Sequence, residues 1–170
     1  MKKGSRGFSL IELLIVVAII LIIAAIAIPN LLRSRIAANQ ASAVGSLRTL
    51  NTAEITYATT YNTGYTSTLG DMGPPTSGNP VATAAGLIDS VLAGSAANGA
   101  QASMSAKSGY SFLYSPGGTD VSGRINTYSI TATPISVGTT GTNYYFTDQS
   151  GVIRQNSTAV AGSSDSPLAG

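Results

Sequence analysis

The 170-residue chain contains no cysteine, no histidine and no tryptophan. Without thiol or imidazole there is no cysteine nucleophile, no Ser-His-Asp triad, no imidazole general base and no zinc site of the usual ligand set. Disulfides are excluded too, so cysteine usage says nothing about the redox compartment. Charge is scarce: nine Lys and Arg with seven Asp and Glu make up 9% of the residues, about a third of the share usual in soluble proteins. No basic run occurs beyond the first six residues, so a specific nucleic-acid partner is not expected. No enzymatic activity and no cofactor or metal is expected either. Lys107 falls in a small-residue segment, and Asp120, Asp148 and Asp165 are scattered, which reads as turn chemistry and not as a calcium site.

What is present is one long apolar run. Residues 8–28 read FSLIELLIVVAIILIIAAIAI, with Glu12 the only charge. As a helix, this run spans roughly 31 Å, close to the thickness of a bilayer's hydrocarbon core. Lys2, Lys3 and Arg6 precede it, and the positive-inside tendency keeps that end cytoplasmic; Arg33 and Arg35 weaken this bias without reversing it. A cleaved signal peptide is one reading, with Ala25-Ile26-Ala27 as a small-x-small site, but the apolar stretch is long and Glu12 is out of place in it. A plain membrane anchor also leaves Glu12 unexplained. A carboxylate in a membrane helix costs about 2.5–3.5 kcal/mol on insertion scales and calls for a partner.

The segment Gly7-Phe8-Ser9-Leu10-Ile11-Glu12, behind a short basic leader and ahead of the apolar run, resembles the processing site of the type IV pilin family, which includes the pseudopilins of type II secretion. The resemblance implies that a prepilin peptidase and methyltransferase cuts between Gly7 and Phe8 and methylates Phe8. It further implies that Glu12 pairs with the N-terminal ammonium of a neighbouring copy during assembly, on an inner-membrane platform, into a helical homo-oligomeric filament. Unpaired in an apolar core, either charge costs several kcal/mol, so the pair sets axial register while Leu and Ile supply adhesion. Loss of the leader leaves six basic and seven acidic side chains, a nearly neutral subunit suited to close packing.

The helix is expected to continue past Pro29, which lacks an N–H and loosens or kinks it at the membrane exit. From Ile36 onward, Ala43, Leu47, Leu50, Tyr57 and Tyr61 keep one face at helical spacing, with Asn39, Ser46, Arg48, Thr52 and Thr59 elsewhere. Glu54 falls in the apolar stripe, which calls for an edge position or a loop cation. Turn residues run from Asn62 to Pro80, Leu87–Leu92 suggests a short helical turn closed by Gly94, and 95–108 reads as a flexible insertion.

The period then changes to two. Tyr110, Phe112 and Tyr114 alternate with more polar neighbours, as do Tyr128, Ile130 and Ala132. Tyr144–Phe146 and Val152–Ile153 flank a turn. The expected fold is therefore α+β. A long N-terminal helix, apolar first and amphipathic second, packs on an antiparallel sheet of about four strands, with Leu47, Leu50, Tyr57, Tyr61, Phe112, Tyr128 and Ile130 in the head core. The expected organisation is a leader 1–7, an assembly helix 8–28, an amphipathic helix 29–62 and a head 63–170. The chain departs from family members that close the head with a C-terminal disulfide. Asn156-Ser157-Thr158 is a formal glycosylation site. The resemblance implies a pilus subunit stored in the bacterial inner membrane and then assembled outside it. The alternatives are a type II secretion pseudopilin or a minor pilin and, from another class, a monomeric membrane-anchored surface binding module.

Overall fold

The computed structural model describes residues 8–94 and 103–168; residues 1–7, where the leader and Gly7 are expected, 95–102 and 169–170 lie outside the described residues. The chain divides into two compact units, Met1–Arg35 and Ile36–Gly170.

One helix, α1 (Leu10–Tyr61), contains Pro29 in its interior. It ends where Asn62 takes φ 55° and donates its N–H to the Ala58 carbonyl at 3.1 Å, the left-handed helix end that Asn tolerates better than most residues. In the second unit the helix buries Ala43, Ser46, Leu47, Leu50, Asn51, Ala53, Glu54 and Tyr57, a set spaced by three and four that forms a single face. Ser46 thus belongs to the core face, one turn from both Ala43 and Leu50, and not to the solvent side.

The sheet has five antiparallel strands in sequential order: β1 (Met104–Lys107), β2 (Tyr110–Pro116), β3 (Tyr128–Pro134), β4 (Tyr144–Asp148) and β5 (Arg154–Asn156). The expectation of about four strands missed β1, which occupies the end of the segment read as a flexible insertion. Its pattern is inverted, with Ser105 buried and Met104 and Ala106 exposed, so no apolar alternation announces it. Pairing makes it a strand: Lys107 lies opposite Tyr110 across the two-residue turn Ser108-Gly109, whose φ values of 50° and 74° are both positive, as a type I′ hairpin requires. β5 begins one residue past Ile153, later than the apolar pair Val152–Ile153 suggested.

Tyr110, Phe112, Tyr114, Tyr128, Ile130, Ala132 and Tyr145 pack in one cluster with Leu47, Leu50 and Tyr57. Each fully buried Leu or Phe there contributes roughly 1.5–3 kcal/mol. The connection between α1 and β1 closes the cluster with Leu69, Met72, Ile88 and Leu92. It is pinned at Gly64, where φ is +84° and a Cβ would collide with the Ile125 carbonyl, while Tyr65 donates its N–H to that same carbonyl at 2.8 Å. Residues 90–94 form a hydrogen-bonded turn, with Ala93 N–H to the Asp89 carbonyl at 3.0 Å. Lys107, expected in an unstructured segment, lies on β1 and pairs with Asp89 at 2.7 Å.

Candidate functional site

At the N-terminal end, Ser9 precedes the first helical residue, and Glu12 Oε2 accepts the Ser9 backbone N–H at 2.9 Å. Ser9-Leu10-Ile11-Glu12 is thus a Ser-x-x-Glu capping pattern in which the third helical residue reaches back to satisfy an orphan donor, with its charge at the positive end of the helix. The same spacing that resembles a processing site carries this second meaning. Within the single chain, a backbone amide is Glu12's hydrogen-bond partner. Phe8, just ahead, is 77% exposed, and every large apolar residue from Leu10 to Ile28 is between 47% and 80% exposed. None of the 18-residue window that qualifies this helix to cross a membrane is buried. Exposed to water, each of those side chains forfeits a large part of the roughly 1.5–3 kcal/mol that full burial would supply. The segment therefore needs lipid or other protein around it.

The head places the remaining expected residues. Leu47, Leu50, Phe112 and Ile130 are fully buried, Tyr57 and Tyr128 are buried, and Tyr61 is half-buried, its ring 4.9 Å from that of Tyr57. Two polar groups interrupt this apolar interior. Asn51 donates through Nδ2 to Thr147 Oγ1 at 2.9 Å and accepts through Oδ1 from the Tyr128 hydroxyl at 3.1 Å, joining α1 to β3 and β4. Glu54 has no exposed surface and meets Thr66, not a cation. Thr66 N–H donates to Oε2 at 3.0 Å, Thr66 Oγ1 lies 2.6 Å from Oε1, and the Tyr114 hydroxyl donates to the Thr66 carbonyl at 2.8 Å. Neither the edge position nor the loop cation anticipated for Glu54 occurs.

Burial pushes the Glu54 carboxyl above its ordinary value, and the Thr66 contacts offset only part of the shift. Burial likewise raises the phenols of Tyr114 and Tyr128, and lifts that of Tyr110 to about 12. Sequence reading missed Asn51 and Thr66 because their partners lie far away in the chain or in a loop of unpredictable course. The Ser-x-x-Glu pattern at Ser9 was the one local signal available.

The acids of the turns serve their own backbones. Asp120 Oδ1 accepts from Ser122 and Arg124 N–H at 2.8 and 3.0 Å, and Asp148 Oδ1 from Ser150 N–H at 2.9 Å. Asp165 accepts from Gly162 N–H at 2.7 Å and from Asn156 Nδ2 at 2.9 Å. One of the two side-chain N–H groups of Asn156, at the atom a glycan would take, is thus held by Asp165. Asn156 Oδ1 also caps Thr158 and Ala159 N–H. Without a disulfide, the C-terminal loop is tied by this clasp, by Arg154 Nη1 to the Asp165 carbonyl at 2.9 Å, and by Leu168 N–H to the Ile153 carbonyl at 2.8 Å.

A family model described as the prokaryotic N-terminal methylation motif matches residues 2–28. The type IV major pilin protein PilA of Myxococcus xanthus is 54% identical over 50 residues, covering 29% of this chain and 23% of that protein. The type IV wide pilus major component PilA4 of Thermus thermophilus is 62% identical over 37 residues, covering 22% of this chain and 28% of that protein. The similarity thus spans about a quarter of each relative. No solved structure matches the chain.

Proposed function

We propose, from the premise that the chain belongs through its N-terminal segment to the type IV pilin family, that it is a structural subunit of a pilus filament, held in the membrane by residues 8–28 before assembly. The carrying observation is the exposed apolar half of α1, headed by Glu12. A helix of that kind is stable in lipid or in a bundle of its own copies, and a filament core supplies the second. Both relatives are named as major pilus components, which favours the filament-forming role.

In this reading the bond between Gly7 and Phe8 is cut and Phe8 methylated, leaving an ammonium one residue ahead of Ser9. In the stored subunit Glu12 rests on its own Ser9 amide. On assembly it exchanges or supplements that contact with the ammonium of a neighbour, which carries a full charge and so binds more strongly than a neutral amide. Pro29, which removes one helix hydrogen bond, gives the segment room to loosen as it leaves the bilayer. Electron microscopy of cells expressing Glu12→Ala tests the pairing. Membrane insertion is expected to remain while filaments are reduced, and normal filaments would refute it. The mass of the mature N-terminus tests the processing: a chain starting at Phe8 with one added methyl is expected, and a product starting at Ile28 would mark a signal peptide instead.

A further inference from the structure

Glu54, Thr66 and Tyr114 make four short polar contacts: Thr66 N to Glu54 Oε2 at 3.0 Å, Thr66 Oγ1 to Glu54 Oε1 at 2.6 Å, Thr66 Oγ1 to Tyr114 Oη at 3.1 Å, and Tyr114 Oη to the Thr66 carbonyl at 2.8 Å. Each contact needs one hydrogen. The amide, the threonine hydroxyl and the phenol supply three between them. With Glu54 ionised, Thr66 spends its hydroxyl hydrogen on Oε1 and Tyr114 spends its own on the carbonyl, so two oxygens face each other at 3.1 Å with no hydrogen between them. With Glu54 neutral, a one-way chain satisfies every contact: Glu54 O–H donates to Thr66 Oγ1, Thr66 O–H to Tyr114 Oη, and Tyr114 O–H to the Thr66 carbonyl.

We propose that Glu54 is held as the neutral acid at neutral pH, its proton completing this chain, and that its ionisation releases the segment Asn62–Gly73 from α1. The surroundings agree. The titratable groups that bear on Glu54 are Asp71 from the 3₁₀ turn Leu69–Met72, Tyr57 from α1, Tyr114 from β2 and Tyr128 from β3, and none is a cation. Asp71 is itself buried and holds Ser67 Oγ at 2.6 Å and Thr68 N–H at 3.2 Å, so a second negative charge at Glu54 would strain the same three-residue hydroxyl run from both sides. Thr66 is the pivot. Its amide and hydroxyl are the atoms an ionised, rehydrating carboxylate would draw toward water, and its neighbours Gly64 and Tyr65 hold the bridge to Ile125. The latch lies wholly within the second unit and does not depend on polymerisation.

Glu12 and Glu54 are the only two glutamates in the chain, which makes the test direct. The full chain in detergent micelles, labelled with ¹³C at the glutamate side-chain carboxyl, should give two signals by NMR, with Glu12→Gln assigning them. The Glu54 signal is expected at the position of a protonated acid at pH 7, and unchanged from pH 4 to 7. A Glu54 signal that moves to the carboxylate position near the ordinary glutamate value would overturn the proposal. A second measurement uses Glu54→Gln, whose amide can donate to Thr66 Oγ1 and accept from Thr66 N–H in the same directions. Its Thr66 amide is expected to stay protected from hydrogen exchange at high pH, where the parent protein's loses protection more than tenfold beyond the intrinsic pH effect. Equal loss of protection in both would contradict a latch controlled by this proton.

Discussion

Glu12 and Glu54 stand on the same helix and meet opposite surroundings. Around Glu12 every large apolar neighbour from Leu10 to Ile28 is exposed, and the side chain is bonded to the amide of Ser9, the residue just before the helix. Around Glu54 the helix has a packed sheet on one side, and the carboxyl is bonded to a loop that returns to the helix it left. The first half of α1 is apolar all round and, among the described residues, has no burial partner within its own unit. The second is apolar on one face and has its partner in the same chain. A glutamate is tolerable in both because each has hydrogen-bond partners, but the partner differs. The first is local, three residues away on the same segment, and the second is built into the head.

The comparison breaks most visibly under core truncation. Leu50→Ala removes a side chain with no exposed surface and should lower head stability by roughly 2–5 kcal/mol. Leu21→Ala, on a residue that is 63% exposed, should leave the same transition in place. Thermal unfolding of the full chain in detergent, followed by tyrosine near-ultraviolet circular dichroism, separates the two. Equal shifts would mean that the two halves of α1 are not energetically distinct. Asn51→Leu comes next. It leaves the Tyr128 and Thr147 hydroxyls without their buried partner and should cost about 1–3 kcal/mol in the same measurement.

A smaller and more diagnostic effect is expected from pH. The folded Glu54 pKa lies above the ordinary glutamate value of 4.5, so between those two values the folded state holds a proton that the unfolded state has lost. The contribution is fully present below 4.5 and disappears as pH rises through the folded pKa, at up to about 1.4 kcal/mol per pH unit. Stability should therefore fall as pH rises from 4.5, and Glu54→Gln should flatten that slope. A slope unchanged in Glu54→Gln would assign the effect to another group.

The division between what could be read from the chain and what could not follows the range of the interactions. The apolar run, Glu12 and the core stripe Leu47, Leu50 and Tyr57 depend on spacing within a helix, and the alternation of Tyr110–Tyr114 and Tyr128–Ala132 depends on spacing within a strand. Both are local and legible. β1 was not, because its inward residue is Ser105 and its outward ones are Met104 and Ala106; only pairing with β2 makes it a strand. Glu54 was visible as an anomaly in an apolar stripe, but its partner Thr66 lies past the helix end, on a course set by Gly64 and Ile125. At the other end, Glu12 stood out as a lone charge in an apolar run, and its capping of Ser9 was legible in the four letters Ser-Leu-Ile-Glu.

The smallest effect is expected at the Asp89–Lys107 pair, the one salt bridge among the described residues. At 2.7 Å the contact is close, and burial, which raises the Asp89 pKa, is outweighed by Lys107 and by the Leu92 and Val91 amides, so the carboxyl sits below its ordinary range. The sign is opposite to that of Glu54: this contribution is present above the ordinary value of 3.8 and fades as pH falls through the lowered one. The two side chains are 33% and 45% exposed, so water and salt screen the pair, and Lys107→Ala should cost less than about 1 kcal/mol and less still in high salt. Much of Asp89's work also survives the loss of Lys107, because Oδ1 still accepts the Val91 and Leu92 amides at 3.0 and 3.1 Å. Asp89→Ala should therefore destabilise the head more than Lys107→Ala, and the difference measures the turn and not the ion pair. If the two variants melt at the same temperature, the charge contact carries the whole effect and the turn bonds contribute nothing measurable.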